Sequence, residues 1–412
     1  MMIRLLLATL IMVAGSAYAL QPPNVPGLLP MEIARPLLEQ DPRVAAARAG
    51  LEVAKQEASI LDKSPYEWTG KALGQRRSLD TGPRYREWNV GIERTIRLPG
   101  KGSADRNIGK ATIEESEARY GEALHESARE LASLWVDWLA AERGRELAAS
   151  NLVAVQENLK AVDKRLRAGD ASKLDLNLAS AELAEQKRMD NDARTQASAA
   201  WARLSVRFPG INRQSVLLPA PMLIAEDEAL WRDRIIGESD ELKVVQTQLR
   251  IAQAQADRAQ ADRVPDPTFG VYTASEVGGR ERISGITLSI PLPGGLRDSR
   301  SSKALAAVEV ARNAADLKKR ELETEIASAL VTARGTYESL QIANEGALAM
   351  QENAKLVQRA YALGEGDLQT LLLARRQTTA AANSALLAQV GALKAYYGLL
   401  IDAHLIWGLD SE

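Results

Sequence analysis

The stretch Arg165-Leu166-Arg167-Ala168-Gly169-Asp170-Ala171-Ser172 ends one long run of helix-forming residues and opens another. A counterpart, Ala360-Tyr361-Ala362-Leu363-Gly364-Glu365-Gly366-Asp367, does the same later in the chain, with its glycine 195 positions on. Leu98-Pro99-Gly100-Lys101 and Leu292-Pro293-Gly294-Gly295 form a second pair, offset by 194. Asp41-Pro42-Arg43-Val44 and Ser239-Asp240-Glu241-Leu242 form a third, offset by 198. Three matched landmarks indicate a duplicated unit far longer than a solenoid repeat.

Each unit reads as short helix, two strands, very long helix, sharp turn and medium helix. The first spans 41–207, with helices at about 41–63, 103–168 and 172–207; the second spans 239–404, with helices at about 239–263, 298–363 and 367–404. Leu152, Val155, Leu159, Val162 and Leu166 are spaced 3-4-3-4, as are Ala347, Met350, Ala354, Val357 and Tyr361, the seam of a coiled coil. A helix of 66 residues is roughly 100 Å long, too long to bury its stripe in an ordinary globule. Two shorter helices stacked end to end would cover most of it. The fold class expected is mainly α with a small membrane β part.

Four segments, at about 65–77, 85–96, 267–275 and 283–291, switch to a period of two. Trp88, Val90 and Ile92 alternate with Asn89, Gly91 and Glu93; Ile286, Leu288 and Ile290 alternate with Thr287 and Ser289. Polar, glycine-containing or charged loops at 78–84 and 276–282 join them into two hairpins. Strands of about ten residues with one oily face suit a membrane β-barrel, which must close to satisfy its backbone. Four strands are fewer than the roughly eight of the smallest barrels, so closure demands several chains. Tyr66, Trp68, Tyr85 and Trp88 fall where an aromatic girdle would lie. A soluble four-stranded sheet on helices is the other reading of the same alternation.

Composition narrows the function. The chain has 412 residues, 46% of them hydrophobic, but only 7 Trp, 9 Tyr and 2 Phe, which favours long helices over a β-sandwich. It has no cysteine, so disulfides, thiolate nucleophiles and cysteine-linked lipid are excluded. Lys+Arg 52 against Asp+Glu 54 gives −2, which points to no nucleic acid partner. His125 and His404 stand singly, without His or Cys at i+3 or i+4, so no metal site, cofactor or catalytic constellation is expected. Residues 1–19, from Met1-Met2-Ile3-Arg4 through an apolar run to Ala17-Tyr18-Ala19, read as a secretory signal peptide. Beyond it no window approaches about 20 uninterrupted apolar residues, so any membrane contact should be made without a transmembrane helix. Residues 20–40 are an extended segment and helix start, 208–238 a Pro-punctuated equatorial connector between the units, and 405–412 a short tail.

In this order and spacing the motifs resemble those of the TolC-like outer-membrane efflux factors over essentially the whole mature length. The likeness rests on Asp41-Pro42-x-Val44-x-x-Ala47-Arg48-Ala49 and on Arg165-x-x-x-Gly169-Asp170-Ala171-Ser172-x-x-Asp175-Leu176. It rests also on Ala360-Tyr361-x-Leu363-Gly364-Glu365-x-Asp367-Leu368-x-x-Leu371-Leu372-x-Ala374-Arg375-Arg376. Leu98-Pro99-Gly100-Lys101 and this last motif look most like the branch serving cobalt–zinc–cadmium cation efflux. The resemblance implies a homotrimer, a 12-stranded β-barrel in outer-membrane lipid continued by a long α-helical barrel in the periplasm. It further implies a periplasmic adaptor protein and an inner-membrane pump of the resistance-nodulation-division (RND) type. Channels for drugs or type I secretion belong to the same family, and a periplasmic coiled-coil scaffold is the rival class. Leu20 stands where many relatives carry a lipid-bearing cysteine, so no lipid anchor is expected.

The turns Gly169, Asp170, Ser172 and Gly364, Glu365, Asp367 should form the periplasmic tips and the adaptor-contact surface. Glycine suits the left-handed helix end, and Ser172 or Asp367 can cap the next helix. Tyr361, Asp367, Arg375 and Arg376 are the candidate gate, through carboxylate–arginine bonds that break as helices untwist. Thr370 and Leu373 occupy places where drug-efflux relatives often carry gating acids. Trp135 and Trp138 read as core or inter-subunit packing.

Overall fold

The computed structural model describes residues 25, 27–78, 80–213, 217–224 and 227–409. The expected signal peptide lies outside the described residues. In chain order the elements are α1 (Met31–Glu39), α2 (Pro42–Asp62), β1 (Thr69–Ser78), β2 (Arg84–Thr95), α3 (Lys101–Ala168) and α4 (Lys173–Arg207). They continue as α5 (Glu228–Glu238), α6 (Asp240–Ala261), β3 (Thr268–Glu276), β4 (Glu281–Ser289), α7 (Gly295–Leu363) and α8 (Leu368–Asp402).

The two long helices have 68 and 69 residues, each roughly 100 Å. Near the sheet, α2 lies on α3, α3 on α6 and α6 on α7, the same order as the antiparallel sheet β1-β2-β3-β4. Toward the opposite end α4 and α8 take the places of α2 and α6 beside α3, and α8 continues along α7. Four rods therefore run side by side, two unbroken and two made of shorter helices in series. Backbones come very close where α2 crosses α3: a Cβ on Gly109 would lie 2.9 Å from the Ala58 Cα.

A large apolar core binds the rods at mid-length. Trp135, Trp138 and Leu131 of α3, Leu204 of α4, Leu330 of α7, and Leu393 and Tyr397 of α8 are all buried there. Trp138 packs tilted against Trp135 at 4.9 Å and against Trp201 at 5.0 Å between ring centroids, and the Trp135 indole donates to the Gly27 carbonyl at 2.8 Å. The region expected to be a connector contributes to this core: α5 lies on α7, and Phe208, Ile211, Trp231 and Ile235 are buried. The short tail does so as well. Ile406, Trp407 and Leu409 are buried, and the Trp407 indole donates to the Leu29 carbonyl at 2.8 Å. Among the described residues one helix, α8, is long and apolar enough to cross a membrane, and its apolar side is shared with α3 and α7.

Candidate functional site

The sheet has two chemically different faces. Register places Ile92 opposite Val271, Val271 opposite Ile286 and Phe269 opposite Leu288 on one of them. With Val90 and Trp88 these residues form an oily surface, and Ile286 is 81% exposed. The other face carries Lys71 paired with Glu93 at 2.6 Å, and Arg77 with Glu87 at 3.1 Å and Glu276 at 3.0 Å. Gln75 donates to Glu87 at 2.9 Å. On that polar face Tyr272 sits between Gly91 and Gly285 on the neighbouring strands, and a Cβ on Gly285 would meet its ring at 2.6 Å. Among the described residues the outer edges of β1 and β4 have no partner strand.

Of the four expected girdle residues, Trp68 and Trp88 are exposed on the oily side. Tyr66 and Tyr85 are not part of it. Strand β1 begins at Thr69 rather than 65, and the Tyr66 hydroxyl donates to Asp266 at 2.8 Å. Tyr85 alternates onto the same face as Glu87.

Sheet and rods meet in a charged joint that the sequence reading passed over. Lys101, the last residue of the Leu98-Pro99-Gly100-Lys101 turn, is 1% exposed, and its ammonium lies 2.9 Å from Asp266 and 3.3 Å from Asp262. The Leu98 N–H donates to Asp266 at 3.0 Å. Burial pushes the Asp266 carboxyl upward, but Lys101, Leu98 and Tyr66 outweigh it and hold it below its ordinary value. Arg97 ties in the end of α2 by donating to the Leu61 and Asp62 carbonyls at 2.9 and 2.8 Å, and it pairs with Asp105 at 3.0 Å. Arg258 of α6 reaches the same Asp105 at 2.7 Å. A lysine among apolar turn residues and an Asp-Pro step just before β3 were the available signals.

At the far end, Gly169 and Gly364 have φ of 90° and 81° and close α3 and α7 in the left-handed conformation. The Asp170 N–H donates to the Arg165 carbonyl at 2.8 Å, and the Glu365 N–H to the Ala360 carbonyl at 2.9 Å. Ser172 forms a reciprocal capping box with Asp175. Asp367 caps α8 by accepting from the Thr370 N–H at 2.7 Å and from its hydroxyl at 3.1 Å. Those bonds hold its carboxyl below the usual range.

The candidate gate residues thus have separate partners. Arg165 lies 4.7 Å over the Tyr361 ring, joining the two tips. Arg375 donates to the Ala154 carbonyl at 3.3 Å. Arg376 donates to Glu182 of α4 through Nε at 3.0 Å and Nη2 at 2.5 Å. The carboxylate that meets an arginine is therefore Glu182, 2% exposed, and not Asp367. Its signal was a polar seam, since Glu182, Gln186 and Asp190 repeat along the buried side of α4. Below them Val162, Ala179, Leu368, Leu371 and Leu372 form a small second core.

The two histidines, single in the sequence, meet in space, with ring centroids 5.5 Å apart. They border a cavity of about 20 Å³ with Glu122, Arg129, Glu241, Glu325 and Asp402. Burial, then the Arg129 charge, holds His125 down to about 3. Burial, then Glu241, pushes Glu122 up to about 8. Among the described residues no three His, Asp or Glu are grouped to hold a metal ion.

A model of the outer membrane efflux protein family matches residues 34–206 and 231–399. The chain belongs to that family. The efflux protein is similar in fold to the solved channel CusC, with 16% identity, TM-score 0.73, and coverage of 90% of this chain and 92% of that one. It is similar also to VceC of Vibrio cholerae, with 15% identity, TM-score 0.73 and coverage of 90% and 95%. The open state of MtrE from Neisseria gonorrhoeae matches with 19% identity, TM-score 0.72 and coverage of 92% and 89%. No curated protein matches the sequence of this efflux protein.

Proposed function

We propose that three copies of this efflux protein pool their sheets into one twelve-stranded barrel across the outer membrane, and that their rods extend the pore into the periplasm. The observation that supports this is the pairing of two free edges, β1 and β4, with a sheet that is oily on one face and ionic on the other. Backbone groups in lipid need partners, and a β4-to-β1 seam between neighbours supplies them in a ring that closes. On the rods, Val310 and Leu317 of α7 and Leu387 of α8 are exposed in one chain, which gives the seam an apolar continuation.

In this reading the duct is passive. The polar face turns inward, where Lys71, Glu93, Arg77 and Glu87 neutralise one another in pairs, so the wall offers water without a strong trap for cargo. Energy comes from an inner-membrane RND pump acting through a periplasmic adaptor that meets the tips around Gly169–Ser172 and Gly364–Asp367. The cargo class proposed is divalent heavy-metal cations, on the likeness of the Leu98–Lys101 turn and the second-tip motif to the cation-efflux branch. The buried position of Lys101 makes that turn a structural joint, so cargo choice falls to the pump. At the tip, Arg165 with Tyr361 and Arg376 with Glu182 are the proposed contacts to be loosened on opening.

Cell fractionation followed by mass measurement in detergent tests the assembly. The expected result is a membrane-bound trimer, and a water-soluble monomer would overturn it. Complementation of a channel-deletion strain with Zn²⁺, Co²⁺, Cd²⁺ and a dye then separates cation export from drug export.

A further inference from the structure

The arginines at the hairpin ends are divided unequally between the two faces of the sheet. Arg77 lies on the polar face, held by Glu87 and Glu276. Register and alternation put Arg76, Arg84, Arg86 and Arg282 on the oily face, beyond Trp88, Val90 and Ile92. Arg76 and Arg86 are direct cross-strand partners, Arg84 faces Ser78, and Arg282 faces Ser275. The acids at the same strand ends, Glu87, Glu276 and Glu281, all alternate onto the polar face. All four arginines are exposed, and none has a side-chain ion-pair or hydrogen-bond partner among the described residues.

Like charges set directly across from each other repel. The other rim of the oily belt shows the contrast: there Arg94 is occupied, stacked on Trp68 at 5.4 Å and bonded to the Tyr66 carbonyl at 3.4 Å. Arg86 stands two residues past Trp88, about 7 Å along the strand, the level at which lipid headgroups follow an aromatic girdle. The hairpin ends are opposite the rods, hence toward the outer leaflet. All four side chains are guanidiniums, whose planar fork fits phosphate oxygens in pairs better than an ammonium does.

We propose that Arg76, Arg84, Arg86 and Arg282 form a binding patch for the phosphate groups of phosphorylated glycolipid in the outer leaflet. The proposal rests on the reading of the sheet as a membrane wall. Bound phosphate relieves the Arg76–Arg86 repulsion and anchors the rim of each hairpin at a fixed depth.

The test uses the full-length protein in phosphatidylcholine vesicles with and without lipopolysaccharide, and inorganic phosphate as a lipid-free competitor. Lipopolysaccharide retained by the protein after detergent exchange is measured by mass spectrometry. R76Q/R86Q should retain at least about tenfold less, since the loss of even one of its two charge-assisted contacts amounts to that, while K71Q on the polar face should retain as much as the parent. Should R76Q/R86Q misfold, R84Q/R282Q, whose cross-strand neighbours are serines, carries the test with the same expected loss. Unchanged retention in the folded arginine variants overturns the proposal. So does equal loss in K71Q, or full displacement by inorganic phosphate, which marks a site for the free ion. A parent protein that enters no vesicle overturns the membrane-wall reading itself, a result separable from the others.

Discussion

The two joints between sheet and long helix share a Leu-Pro-Gly sequence and little else. In the first, Gly100 has φ of 90° and delivers Lys101 onto the buried Asp266 and the half-exposed Asp262. In the second, Gly294 is extended at φ of −146°, Leu292 is 92% exposed, and no lysine follows. Position in the row of rods explains the difference. The first joint lies between α2 and α6 and must lock two hairpins together, whereas the second lies at the edge of the chain. Duplication copied the motif, and the neighbours decided what it became.

Removing the lysine should give the largest effect. Lys101→Met leaves Asp266 buried without its cation, and breaking such a pair costs about 3–5 kcal/mol. A thermal melt in detergent should show that loss, with partial recovery when Asp266→Asn is added. An unchanged melting temperature would reduce the first joint to the level of the second.

Alanine should harm the first of the two glycines and not the second. Gly100→Ala forces a side chain into a positive-φ conformation at a cost of about 1–2 kcal/mol. Gly294→Ala, at a φ that any residue adopts, should be neutral or stabilising by about 0.4–1 kcal/mol. Parallel melts of the two variants check this, and two losses of equal size would contradict the contrast.

Acid should separate the joints more gently. Asp266 and Asp262 are held below their ordinary value of 3.8, so each binds a proton more readily unfolded than folded. Their contribution is complete above that value and fades as pH falls through the depressed folded values. In Asp266→Asn that part of the acid loss should be missing, as read from melting temperature against pH.

The architecture was legible because it is local and periodic. Duplicated landmarks, heptad seams and alternating hairpins each report on neighbours a few residues away, and α3, α7 and the strands were placed from them. What escaped the sequence joins residues far apart. Tyr66 leaves the girdle because Asp266, 200 positions on, takes its hydroxyl. Arg376 meets Glu182 across 194 positions, and His125 meets His404 only through the meeting of α3 with the end of α8. The helix α5 was hidden by the prolines before it, and Trp407 by its place in a tail too short to suggest burial. Capping at Ser172 and Asp367 was readable from residue type; which carboxylate an arginine would choose was not.

The bare margins of β1 and β4 have a genetic corollary. In the proposed ring every margin serves one seam, so one copy with one spoiled margin weakens one of three seams and leaves the ring unclosed. Coexpressed with the intact protein, such a mutant should poison mixed assemblies, and its harm should be dominant.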